Sequence, residues 1–365
     1  MTRDELATVD RPAAPVPNGA TAATTTSGEI EGAKAPALGR RFFNLRTLIS
    51  FALGFAILVF LFTRVQIDVG AIVDRVRQAN PAWLALAVVA FYATFPVRAL
   101  RWRRLLDNVE RTTGEEAGQR IGVPALAEIM LLGWFANCIV PAKLGDAYRA
   151  YLLKLNVGVS FSTTIGTILA ERIIDVVVLF VLMLAATGLA FGRALPAEVL
   201  LLMQLGFALV VIVVLGLLSM RRLRPLIERL LPSRLHVQYQ RFEVGTLASF
   251  RGIPVLVVLS LVAWAGEVAR LYLVMVALGL GLTAPSVVVF VALATALMTT
   301  LPLTPAGLGF AEGTIVGILL LAAGAGLAPG VDEHAAASIA LLDRAISYWS
   351  LIVVGLALYP FSKRK

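Results

Sequence analysis

Long apolar runs alternate along this chain with short polar segments dense in arginine. A membrane-spanning helix needs about 20 mostly apolar residues. Thr47–Thr63, Ala79–Val97, Ile173–Phe191, Val199–Met220 and Pro254–Leu278 come close to or exceed that length. From Leu271 to Ala311 there is no Asp, Glu, Lys or Arg, which leaves room for one full span and one broken one. Gly313–Leu327 and Ala335–Pro360 complete the set, and Ala125–Val140 and Phe161–Ala170 are apolar but short or interrupted. The predicted fold is all-α: a polytopic membrane protein of about 8 transmembrane helices with broken or re-entrant helical hairpins.

Composition agrees. Of 365 residues 59% are hydrophobic and 15% charged, against about a quarter charged in a soluble domain. Residues 1–41, rich in Ala, Thr, Pro and Gly, bury too little apolar surface to offset ordering entropy and are expected to form a disordered cytoplasmic tail. Residues 42–362 form the transmembrane domain. Within it, 221–253 reads as a cytoplasmic loop whose Leu223, Leu226, Ile227, Leu230 and Leu231 recur at helical spacing among arginines, an amphipathic helix at the membrane surface.

The net charge of +9 does not indicate nucleic acid, because the arginines lie between apolar runs, where the positive-inside bias places them. Arg98, Arg101, Arg103 and Arg104 follow the second run, Arg221, Arg222 and Arg224 follow Met220, and Lys363-Arg364-Lys365 closes the chain. On that count both termini face the cytoplasm, in a multi-pass protein of the cell membrane. One cysteine (Cys138) and two separated histidines (His236 and His334) predict no disulfide and no metal site. No cofactor is expected, and no phosphate-binding nucleotide loop occurs. The polar segments are too short for a soluble catalytic domain.

Two segments break the apolar pattern in the same way. "IVPAKLGDAYR" (139–149) and "LTPAGLGFAEG" (303–313) share Pro-Ala-x-Leu-Gly-x-Ala when Pro141 is aligned with Pro305. Asp146 lies inside the first copy and Glu312 directly after the second. Proline removes a backbone donor and glycine permits left-handed backbone, so Pro141, Gly145, Pro305, Gly307 and Gly309 mark helix breaks. Each copy precedes an acid–arginine pair entering a new apolar run: Glu171-Arg172 with Asp175, then Asp343-Arg344. Broken helices at matching places in two halves mark the central site of a transporter, and approach from opposite faces would make the halves an inverted repeat.

Charges within spans are costly and face partners or water. Glu267 and Arg270 share a helix face and could form a self-contained pair. The other groups either fix helix packing or line a polar cavity. In the cavity reading Lys143, Arg149, Arg172 and Arg344 grip an anionic head group. Asn137, Asp146 and Glu312 bind its hydroxyls or amines, or hold those bases in place.

"VRALRWRRLL", "FANCIVPAKLGDAYRAYLL", "ILAERIIDVVVL", "TTLPLTPAGLGFAEG" and "DRAISYW" occur in an order that resembles the lysylphosphatidylglycerol synthase transmembrane-region family, also described as flippase-like integral membrane proteins. The resemblance implies a helical membrane domain, with broken or re-entrant helices, that moves lipid between leaflets. It marks Asn137, Pro141, Gly145, Asp146 and Arg149, then Glu171, Arg172 and Asp175, then Pro305, Gly307, Gly309 and Glu312, and finally Arg344. Ala306 stands where that family carries a further glycine, which makes the turn less permissive. No aminoacyl-transfer domain is present in these residues, so the resemblance does not carry the synthase activity. The expected partner is a membrane lipid, an anionic phospholipid or a polyprenyl-phosphate-linked lipid, and the protein itself is expected not to be an enzyme. The alternatives are a membrane-embedded polyprenyl-phosphate-sugar transferase and an accessory subunit of a separate glycosyltransferase.

Overall fold

In the computed structural model the described residues are 49, 52–57, 59, 68–114, 121–140, 144–191, 197–281, 283–300 and 304–364. Residues 1–41, Pro141 and Lys143 lie outside them, as does much of the first predicted span. Among the described residues the architecture is helical throughout, without strands.

The first half contains α1 (Val69–Arg77), α2 (Pro81–Thr113), α3 (Val123–Ile139), α4 (Leu144–Val157) and α5 (Phe161–Phe191). After α6 (Ala197–Leu230) and α7 (His236–Ala248), the second half contains α8 (Ile253–Ala277), α9 (Pro285–Thr300), α10 (Phe310–Gly324), α11 (Glu333–Arg344) and α12 (Ser350–Phe361). A π-helical turn, Ala345–Trp349, joins α11 to α12 as one rod. Six described segments are long and apolar enough to cross a membrane: α2, α5, α6, α8, Pro305–Gly324 and Glu333–Phe361. α3 and α9 have 17 and 16 residues, about 25 Å of helix against a hydrocarbon core of about 30 Å.

α2 runs further than its apolar stretch. Asn80 caps it by accepting from the Ala82 N–H at 2.9 Å, and Gly114 ends it in left-handed conformation. Between these caps the helix continues through Arg98 and Arg101, past the predicted end at Val97. α5 likewise begins at Phe161, twelve residues before the predicted Ile173. The hydroxyls of Thr164 and Thr167 donate to carbonyls of Ser160 and Thr164, which lets a Thr-rich stretch continue the helix. In the predicted loop 221–253, α6 extends through Pro225 to Leu230, and α7 packs on α5. Gly166 and Gly245 lie at that crossing, where a Cβ on either would strike the other helix's backbone.

α2 and α8 pack closely and antiparallel. The Asn80 N–H donates to the Ala277 carbonyl at 2.9 Å, Gly266 lies against Thr94, and Arg101 reaches Ser260, so positions rise on one helix as they fall on the other. Each is followed by a helical hairpin. In α3–α4, Gly145 abuts Gly133 and Asn137, and the Gly145 N–H donates to Asn137 Oδ1 at 2.8 Å. In α9–α10, Ala284 N–H donates to Leu327 O at the open end, and Gly307 abuts Thr299 at the break. The order is therefore helix, broken hairpin, helix in each half (α2, α3–α4, α5; α8, α9–α10, α11–α12), with the leading helices oppositely directed. This common order, with oppositely directed leading helices, is what an inverted repeat requires.

Candidate functional site

The second break shows how the sequence opens a helix. Thr304 is extended, Pro305–Gly307 forms a single 3₁₀ turn, and Ala306 (φ 45°), Gly307 (φ 73°) and Gly309 (φ 84°) are all left-handed. Ala306 is the non-glycine residue in that region among the described residues, a placement that costs about 1–2 kcal/mol. Its carbonyl is thereby turned toward Arg344, whose Nη2 donates to it at 3.1 Å. The Gly309 N–H, freed at the start of α10, donates to Glu312 Oε2 at 2.7 Å.

The same chain of ion pairs occurs in both halves. In the first, Arg101 of α2 binds Glu171 of α5 at 3.0 Å, and neighbouring Arg172 binds Asp146, beside the first break, at 2.8 Å. In the second, Arg270 of α8 lies 3.0 Å from Asp343 of α11, and neighbouring Arg344 binds Glu312, beside the second break, at 3.0 Å. Arg101 also binds Asp175, and Arg149 binds Glu171 at 2.9 Å. Arg98 joins the halves: it donates to Glu267 at 2.9 Å, and Glu267 lies 3.2 Å from Arg270. Six arginines thus face six carboxylates. Balance of this kind is what a low-dielectric interior demands, since one unpaired buried ion costs several kcal/mol.

Aromatic rings complete the guanidinium environments. Arg98 lies between Trp134 and Trp264, 4.9 and 5.5 Å from their centroids, Arg149 stacks on Trp102 at 4.3 Å and Arg344 on Tyr348 at 4.8 Å. Desolvated contacts of this type contribute about 2 kcal/mol each.

Between the halves lies a cavity of about 180 Å³. Arg98, Arg172, Arg270 and Arg344 line it together with Asp175, Glu267 and Asp343. The end of α3 reaches it through Asn137 and Val140, and the second break reaches it through Thr304 and Ala306. The Tyr348 hydroxyl donates to the Cys138 carbonyl at 3.1 Å and fastens the π-helical turn to the end of α3. Thr295, Thr299 and Thr300 form the α9 wall; their hydroxyls donate to carbonyls of their own helix, so they face the cavity as acceptors. Trp264 Nε1 and Ser347 Oγ also line it and have no hydrogen-bond partner among the described residues.

Of the residues predicted to bind substrate, Asn137, Arg172, Asp175, Glu267, Arg270, Asp343 and Arg344 line this cavity. Asp146, Glu171 and Glu312 stand behind it and hold arginines. Arg149 is fully buried against Trp102 and Glu171 and does not reach the cavity, a correction to its predicted contact with a head group. The Glu267–Arg270 pair is not self-contained, because Glu267 also serves Arg98 and Arg270 also serves Asp343. Arg98 and Arg101 correct the reading as loop charges: they are 3% and 0% exposed. Their signal was the spacing of three, on a helix carrying Phe91, Phe95 and Trp102, with no breaker after Val97.

The profile of the lysylphosphatidylglycerol synthase transmembrane region matches residues 47–355. The chain belongs to this family. It is 32% identical over 231 residues to a UPF0104 membrane protein of Methanocaldococcus jannaschii, covering 63% of this chain and 95% of that one. A UPF0104 membrane protein of Methanothermobacter thermautotrophicus is 27% identical over 346 residues, 86% of this chain and 92% of its own. The glycosyltransferase AglD of Haloferax volcanii is 28% identical over 328 residues, which cover 79% of this chain and 50% of AglD. The matched residues include the segments that build the cavity and the ion pairs behind it.

Proposed function

We propose that this family member moves an anionic lipid, a phospholipid or a polyprenyl-phosphate-linked lipid, between the leaflets of the cell membrane without altering it chemically. The observation that carries this reading is the cavity where the two broken hairpins meet, lined by four arginines against three carboxylates. With Asp146, Glu171 and Glu312 behind the wall the network is neutral, so a phosphate would be held by charge-assisted hydrogen bonds from guanidinium groups shared with these carboxylates. Arg172, its side chain 28% exposed, is the accessible base, and Asp146 and Glu312 hold Arg172 and Arg344 from behind. An inverted repeat supplies two related arrangements, open to either side, for alternating access. Loop arginines orient both termini toward the cytoplasm in this reading.

Purified protein in liposomes containing labelled phosphatidylglycerol or labelled phosphatidylcholine tests it. Faster exchange of the anionic label, with the lipid recovered unchanged, is the predicted result. Equal exchange of both labels contradicts it, as does exchange of neither together with none of a labelled polyprenyl phosphate.

A second reading draws on AglD, which is named a glycosyltransferase and of which this chain resembles half. In it the chain is the membrane partner of a glycosyltransferase and handles that enzyme's lipid-linked substrate. Exchange of a polyprenyl-phosphate sugar in preference to phosphatidylglycerol favours this version. Formation of a new glycolipid by the purified chain alone indicates a transferase instead.

A further inference from the structure

A second cavity, of about 480 Å³, opens where α6 leaves its apolar run. That run ends at Met220, and Arg221 and Arg224 line the cavity, together with Arg251 from the segment between α7 and α8. Glu243 is the lining carboxylate, and Leu247 and Phe250 supply apolar surface. Arg224 lies 3.2 Å from Glu243, whose side chain is 5% exposed, and 3.6 Å from Glu228. Arg221 and Arg251 have no acidic partner among the described residues. The cavity therefore presents two uncompensated guanidinium groups beside an apolar floor.

Its place along the chain decides which anion fits. The change from an apolar helix to consecutive arginines at 220–222 marks the depth at which a membrane gives way to water. Leu218, 68% exposed, lies one turn back on the helix face that carries Arg221. A ligand with a phosphate in the cavity and an acyl chain along α6 satisfies both surfaces, whereas free phosphate uses only the first. α7 closes the cavity because the glycine crossing at Gly166 and Gly245 draws it onto α5, so a bound lipid would brace α6 and α7 against the transmembrane core.

We infer that Arg221, Arg224 and Arg251 form a retained binding site for the head group of an anionic phospholipid, separate from the central cavity and not itself a transport site. Two lost guanidinium contacts near a membrane surface correspond to about thirtyfold weaker binding.

The test is intact-mass measurement of full-length protein titrated with phosphatidylglycerol in detergent. The doubly substituted Arg221→Gln/Arg251→Gln protein should lose the most tightly retained lipid by about thirtyfold. The charge-matched control, Arg222→Gln/Arg229→Gln, removes exposed arginines outside the cavity and should stay within about threefold of wild type. Glu243→Gln removes the lining negative charge and should tighten retention. Glu312→Gln/Arg344→Gln, which alters a lining arginine of the central cavity and the acid behind it, should leave it unchanged, which separates this site from the proposed transport site. Equal loss in the two arginine double variants, or displacement of the lipid by millimolar inorganic phosphate, would overturn the inference.

Discussion

Arg98 of α2 and Glu267 of α8 meet at 2.9 Å, and this contact joins one half of the chain to the other. Both side chains are largely withdrawn from the surface: they are 3% and 11% exposed. Removing one partner from such a pair costs about 3–5 kcal/mol, because the other charge stays buried. Arg98→Met should therefore lower the thermal midpoint in detergent substantially, and Arg98→Met/Glu267→Met should recover part of the loss. A double variant no more stable than Arg98→Met would show that the pair is not the junction.

Ala306 offers a prediction with the opposite sign. Its φ of 45° is strained for any residue with a Cβ, so Ala306→Gly should stabilise the protein by about 1 kcal/mol. Gly307→Ala should destabilise it, because φ is already 73° and the new Cβ would sit 2.7 Å from Thr299 Cγ2. Thermal unfolding of the two variants in parallel checks the pair of signs.

The hairpin crossing can be probed with an internal control. A Cβ at Gly145 would lie 2.7 Å from Asn137 Cγ and closer still to the Gly133 carbonyl. Gly188, within α5, has no atom within 4 Å of that position. Gly145→Ala should lose folded yield, whereas Gly188→Ala should gain about 0.5–1 kcal/mol from helix propensity.

The duplicated ion pairs predict matched phenotypes. Arg172 and Arg344 occupy equivalent places, each bound to the acid beside its own break. Arg172→Lys and Arg344→Lys keep the charge but lose the planar fork. Each should slow leaflet exchange of an anionic lipid by about tenfold, with little change in that of a zwitterionic one. Exchange measured on the two variants side by side tests the equivalence; a large effect at one site and none at the other would refute it.

Much of this arrangement was legible in the sequence because membrane burial makes polar residues informative. The Pro-Ala-x-Leu-Gly breaks and the acid–arginine pairs at 171–172 and 343–344 stand out against apolar neighbours, and the second break and both pairs converge on one cavity with the end of α3. Arg98 and Arg101 did not stand out. An arginine after an apolar run looks the same whether it anchors a loop or continues a helix into the core, and only the acids on α5 and α8 distinguish the two. The partner of each charge was hidden for the same reason: Glu267 with Arg98, or Asp146 with Arg172, are contacts between helices that no local spacing encodes. The start of α5 was missed because Glu171-Arg172 separates Phe161–Ala170 from the run beginning at Ile173, so one helix read as two apolar pieces.

The central claim is that paired arginines at the meeting of the two breaks carry a lipid phosphate between leaflets. Its most direct test uses two charge-neutral replacements that keep hydrogen bonding and leave no unpaired ion: Glu312→Gln/Arg344→Gln and Asp146→Asn/Arg172→Gln. In liposomes with labelled phosphatidylglycerol, both proteins, once shown to be folded, should lose the exchange that wild type supports. Exchange at the wild-type rate in either one contradicts the account.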